Sequence, residues 1–199
     1  MGSRVKVWDL PVRVFHWFLV AAFFVAYLSE DDFLGVHVWA GYAVIGLVFF
    51  RLVWGFVGNR YARFANFVCS PSRLFPYLMD TVHGKAKRYI GHNPAGAAMI
   101  LLLLFNLLVT SGTGLAVYGA EQHAGPLADV VRGNGEIWEE VHEIFANLTI
   151  LLVGIHFLGV VFESWRHREN LVKSMFDGYK TESAAKNCGP TDGFEEDRF

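Results

Sequence analysis

The sequence predicts an all-α integral membrane protein, a four-helix bundle, and three observations carry that prediction. Hydrophobic residues make up 53 % of the 199 residues and charged residues only 18 %, against roughly a quarter charged in a soluble domain. The apolar residues gather into four runs, 12–28, 36–57, 95–117 and 141–162, each near the roughly 20 residues that cross a bilayer core. The connections between these runs alternate in the sign of their charge.

The first run follows Arg4, Lys6 and Arg13, as a signal peptide would. It leads, however, into Tyr27-Leu28-Ser29-Glu30-Asp31-Asp32, a poor cleavage site, and it contains His16 and Trp17. It reads as a mature span. A short acidic turn joins it to the second run, which opens at His37 and holds Arg51. The link 58–94 is basic, with Arg60, Arg63, Arg73, Lys85, Lys87 and Arg88. Within it, 70–89 reads as an amphipathic helix with Leu74, Tyr77, Leu78 and Val82 on one side, suited to the membrane surface. Asn93 and Pro94 suit the N-cap and first residue of the third span. That span carries Gly96, Gly112, Thr113 and Gly114, small residues that permit close approach, and Asn106, which could bond a bound group or another helix. The connection to the fourth run is acidic (Glu121, Asp129, Glu136, Glu139, Glu140), and Arg166, Arg168 and Lys173 follow that run. By the positive-inside rule, both termini and the basic link face the cytoplasm and the acidic loops face outward. Residues 1–180 are expected to form the membrane domain, and 181–199, polar and acidic, a disordered cytoplasmic tail.

A net charge of −2 offers no footprint for nucleic acid. Cys69 and Cys188 lie far apart without CxxC spacing. This excludes a disulfide framework, a cysteine-ligated iron–sulfur cluster and covalent CxxCH haem attachment.

Four of the eight histidines fall in the apolar runs: His16, His37, His142 and His156. Ionisable residues there are costly and usually functional. His142 and His156 are 14 residues apart, so they share one helix face, roughly 21 Å apart and near opposite membrane surfaces. The topology levels His16 with His156 on the cytoplasmic side and His37 with His142 on the outer side. Two cross-helix pairs at two depths suit the axial ligands of two haems. With no cysteine motif, these would be non-covalent haem b. Any one histidine alone could be an ordinary interfacial residue. Arg51, 14 residues after His37, shares its face at the cytoplasmic depth and could bind a haem propionate or snorkel to lipid phosphates. Arg13 is a further candidate on the same side. His92 could bond a propionate or handle a proton at a quinone site, although a capping role explains it as well. His83, His123 and His167 read as solvated.

These residues resemble the bacterial cytochrome b561 and hydrogenase-type cytochrome b family of di-haem membrane subunits. The resemblance rests on Val7-Trp8-Asp9-Leu10-Pro11-Val12-Arg13-Val14-Phe15-His16-Trp17, His37-Val38-Trp39-Ala40-Gly41-Tyr42, Arg51-Leu52-Val53-Trp54-Gly55-Phe56-Val57-Gly58 and Gly91-His92-Asn93-Pro94-Ala95-Gly96. Val141-His142-Glu143, Gly154-Ile155-His156 and Arg168-Glu169-Asn170-Leu171-Val172 complete it, so that it covers residues 5–180. It implies His16 with His156 on one haem and His37 with His142 on the other. It also implies electron exchange with the quinone pool and with a partner, often a periplasmic cytochrome c. No catalytic acid–base or nucleophilic set is visible, so an electron carrier of the bacterial inner membrane is expected. The alternatives are a haem-b anchor subunit of a larger oxidoreductase and a superoxide:quinone oxidoreductase. The acidic outer loops disfavour the latter, because they repel an anion.

Overall fold

A computed structural model describes residues 4–30, 32–131, 133 and 135–181. Asp31, Arg132 and residues 182–199 of the expected tail therefore lie outside the described residues, whereas Thr181 belongs to a strand. The elements are β1 (Arg4–Lys6), α1 (Leu10–Leu28), α2 (Leu34–Val57), α3 (Phe64–Phe67), α4 (Pro71–Val82), α5 (Pro94–Gln122), α6 (Gly135–His167), α7 (Leu171–Asp177) and β2 (Tyr179–Thr181). The fold is all-α with four membrane spans, α1, α2, α5 and α6, each long and apolar enough to cross a bilayer.

Local chemistry sets the helix starts. The Asp9 carboxylate accepts from Val12 N at 2.9 Å and begins α1. Asn93 Oδ1 accepts from Gly96 N at 2.6 Å, with Pro94 next, so the expected cap holds. Two spans run further than their apolar runs, α5 to Gln122 and α6 from Gly135 to His167. Hydropathy marks the bilayer core, whereas a 33-residue helix is about 50 Å long and projects beyond a core of about 30 Å. The amphipathic helix is shorter than expected. It ends at Val82, and Gly84 beyond it has a positive φ of 75°.

The described residues fall into two compact units. The first runs to Val14, from Arg51 to Leu101, and from Ile155 onward; the second comprises Phe15–Phe50 and Leu102–Gly154. In the first, β1 and β2 pair antiparallel with Val5 opposite Lys180, an element absent from the expected fold. Gly178 makes that pairing possible. Its φ of 86° is left-handed, its carbonyl accepts from Val7 N and Trp8 N, and a Cβ there would lie 2.6 Å from the Trp8 carbonyl. In the second unit, polar residues tie the helices at membrane depth. Asn106, 1 % exposed, donates from Nδ2 to the Phe145 carbonyl at 2.9 Å and to Thr149 Oγ1, so it bonds another helix. Tyr27 on α1 donates to Asn147 on α6 at 3.1 Å.

Candidate functional site

In the second unit, Phe23, Tyr27, Gly41, Leu107 and Ala146 help to line an apolar pocket whose empty volume, open mouth included, is about 700 Å³. His37 and His142 both face it. His37 opens α2, and its Nδ1 donates to the Ala26 carbonyl of α1 at 2.9 Å. His142 stands on α6, and its Nδ1 donates to the Thr110 carbonyl of α5 at 2.8 Å, with Thr113 Oγ1 at 3.3 Å. A carbonyl can only accept, so each Nδ1 carries the proton and each Nε2 is left bare. This is the tautomer that binds a metal, oriented from behind by the main chain.

The two rings are 5.9 Å apart between centroids and nearly perpendicular, at 86°. Two imidazoles on one metal, at bonds of about 2 Å, place their centroids about 6 Å apart. Among the described residues no group of three or more His, Cys, Asp or Glu is gathered as a chelated bare ion would need. A haem supplies its own equatorial nitrogens and needs only an axial pair, so these residues fit that group. The small residues agree. A Cβ on Gly114 would lie 2.8 Å from His142 Cε1, whereas one on Gly41 would meet nothing within 4 Å.

A second cluster lies in the first unit. Arg51, near the end of α2, is 4 % exposed, and its guanidinium carbon stands 5.0 Å from the Phe64 ring centroid and 5.7 Å from that of Phe67. It therefore does not snorkel to lipid. Its Nη1 is enclosed without a hydrogen-bond partner among the described residues. His92, for which a propionate contact, a proton at a quinone site and a capping role were all open, packs its ring 4.6 Å from both Trp8 and Phe67, with Nδ1 enclosed and unpartnered among the described residues. Burial, then Lys180, Arg51 and His156, push its pKa down to about 3, so the ring is neutral. His156 is half-buried on α6 in this same unit. Arg13 donates to the Phe176 carbonyl beside Gly178. His16, half-buried on α1, belongs to the second unit and meets Trp17 edge-on at 5.1 Å. His167, expected to be solvated, is half-buried and lies 3.1 Å from Glu163.

Two residues were not singled out from sequence. Asp9 is buried and accepts from Trp54 Nε1 at 3.0 Å and Asn59 Nδ2 at 2.9 Å besides its cap, holding the start of α1 to the end of α2. Its place in a Trp-Asp-Leu-Pro helix start was the available signal. Lys180 is 7 % exposed, donates to the Gly91 carbonyl at 3.3 Å and stands 5.2 Å from the Trp8 ring centroid. Burial pushes its pKa down to about 8, partly offset by Glu169. No sequence signal marks it, because a lysine in a short polar stretch reads as solvated.

Four spans, paired imidazoles with bare Nε2 atoms and an apolar pocket define a class, the membrane cytochromes that hold haem between helices. The chain belongs to the prokaryotic cytochrome b561 family, whose profile matches residues 7–178. It is thus a multi-pass bacterial membrane protein carrying haem b for electron transfer. Among curated proteins it is similar to a "Probable Ni/Fe-hydrogenase B-type cytochrome subunit" of Rhodobacter capsulatus, 27 % identical over 90 % of this chain and 82 % of that one. The protein of the same name from Cupriavidus necator is 22 % identical over 90 % and 89 %. A "Probable Ni/Fe-hydrogenase 1 B-type cytochrome subunit" of Escherichia coli is 25 % identical over 90 % and 92 %.

Proposed function

We propose that this chain is a di-haem b subunit that relays electrons between the membrane quinone pool and a redox partner. The observation that carries this reading is the His37 and His142 pair, with both Nδ1 atoms committed to main-chain carbonyls and the rings 5.9 Å apart. His37 and His142 hold one haem, and His16 and His156 hold the other. Arg51, His92 and Arg13 serve the propionates of the second, on the cytoplasmic side. When bound, haem supplies one-electron redox chemistry. The protein's part is to fix axial ligation, exclude water and set the nearby charge, and through these the potential. Both termini face the cytoplasm, residues 1–180 form the cytochrome domain and 181–199 a tail.

For the partner, the names of the relatives favour a hydrogenase-type oxidoreductase to which this chain is the haem-b membrane subunit. The acidic residues Glu121 at the end of α5 and Glu139 and Glu140 at the start of α6 support the other candidate, a basic periplasmic cytochrome c, through electrostatic steering.

The test is the absorption spectrum of the purified protein together with its haem content. A Soret band that shifts on reduction, two haems per chain, and oxidation by a quinone analogue are expected. A colourless protein, or a single haem per chain, would overturn the di-haem reading.

A further inference from the structure

Lys180 enters the second cluster from outside the membrane spans. After α6 the chain turns through α7, where Asn170 Oδ1 accepts from Lys173 N at 2.7 Å and Gly178 closes the helix in the left-handed region. β2 then pairs with β1, and position 180 falls opposite Val5, on the buried side of a strand whose neighbours Tyr179 and Thr181 are exposed. Trp8, whose indole donates to Ser174 Oγ at 3.2 Å, has its ring 5.2 Å from this ammonium and 4.6 Å from the His92 ring.

Two cations thus stand one ring away from one neutral imidazole, Lys180 against Trp8 and Arg51 against Phe67, and both are felt by it. The nearby carboxylates are committed elsewhere. Glu169 pairs with Arg88 at 2.7 Å, Glu163 with His167 at 3.1 Å, and Asp177 with Arg4 at 2.8 Å. Asp9 is filled by three neutral donors. Among the described residues neither Arg51 nor Lys180 has an ion-pair partner, and Lys180 uses one of its three donors on Gly91. Nearby carboxylates offset these buried charges only in part; like charges so placed are costly, and a bound anion lowers that cost. A guanidinium fork matches a planar carboxylate, and an ammonium adds a point charge.

We infer that Lys180 is a binding residue for a propionate carboxylate of the haem ligated by His156, sharing it with Arg51 and His92, and that pairing of β2 with β1 delivers it there. This rests on the di-haem reading above. The last described strand is thus part of a cofactor site that the sequence assigns wholly to its spans and loops.

The experiment is a redox titration of the haem-loaded, detergent-solubilised protein, resolving two components, alongside haem content per chain. His156→Ala identifies the component that belongs to this site. Lys180→Met should lower the reduced-to-oxidised ratio of that component about tenfold at fixed poise, a shift of about 59 mV for one electron, and leave the other component in place. Lys180→Arg should keep the native value. Asp177→Asn, which removes the exposed Arg4 pair without touching the cluster, should also keep it. If Lys180→Met retains both haems at native potentials while His156→Ala loses one, the inference falls and the di-haem reading stands. An equal shift in Lys180→Arg and Lys180→Met would also overturn it, because charge would not be the cause. Absence of haem from the unmodified protein would instead sink the reading beneath it.

Discussion

The imidazoles of His37 and His142 stand 5.9 Å apart, each turned by a hydrogen bond from Nδ1 to a carbonyl on a third and fourth helix, Ala26 on α1 and Thr110 on α5. All four spans therefore contribute to one site. Its histidine tautomers are set by main-chain atoms, which side-chain substitution does not remove.

On the di-haem reading each haem takes two histidine ligands, so His37→Ala or His142→Ala should each lower haem content from about two to about one per chain. His16→Ala and His156→Ala should do the same for the other haem. Pyridine haemochrome assay against protein concentration checks this. Full occupancy in all four variants would refute the pairing.

Gly114→Val should act on the same pocket without removing a ligand. A Cβ would already lie 2.8 Å from His142 Cε1. The ring would have to swing away, which breaks its bond to Thr110 or misdirects Nε2. The expected result is loss of the His37/His142 haem in a protein that still inserts and purifies, whereas Gly112→Ala, on the same helix but outside the pocket and with nothing within 4 Å of its Cβ, should cost little. Spectra of the two variants side by side decide it.

Arg51→Leu should lower the potential of the His16/His156 haem more than that of the other. Removing a buried cation stabilises the oxidised, more positive state. A fall equivalent to roughly 1–2 kcal/mol is in scale for a partly buried charge–carboxylate pair. Equal shifts in both components would assign Arg51 a structural role only.

Stability should rise with pH in two windows in protein from which haem has been extracted. His92 falls from 6.5 to about 3 on folding, so the unfolded chain binds more protons between those values and raising the pH favours the native state. Lys180 falls from 10.5 to about 8, and the same sign holds there. Lys180→Met should remove the upper rise and keep the lower one. Thermal unfolding midpoints in detergent from pH 3 to 10.5 measure both. An upper rise that survives the substitution would assign it to another group.

The four spans and the histidine faces were legible because both follow from periodicity. A 20-residue apolar run declares a bilayer crossing, and a 14-residue spacing brings His142 and His156 back to one face. The helix ends were not legible, because Glu136, Glu139 and Glu140 continue α6 as comfortably as leucines would. The Asn93 cap was read correctly from its neighbour Pro94. The burial of His92 and Lys180 was missed because it is conferred by Trp8 and Phe67, residues far away in the chain. The same holds for the carbonyls behind His37 and His142, since every residue type has one.

The pairing of β1 with β2 also fixes an order of events during synthesis. β1 is the first described segment to be made and β2 the last. Trp8 therefore waits for its strand partner and for Lys180 until about 170 further residues have been added, on the order of ten to thirty seconds at 5–20 residues per second. Once Arg51 and His92 have been made, their cluster still lacks Lys180 until α7 and β2 arrive. A nascent chain halted before residue 170 would present that cluster unclasped, so timing as well as chemistry governs when this end of the protein is finished.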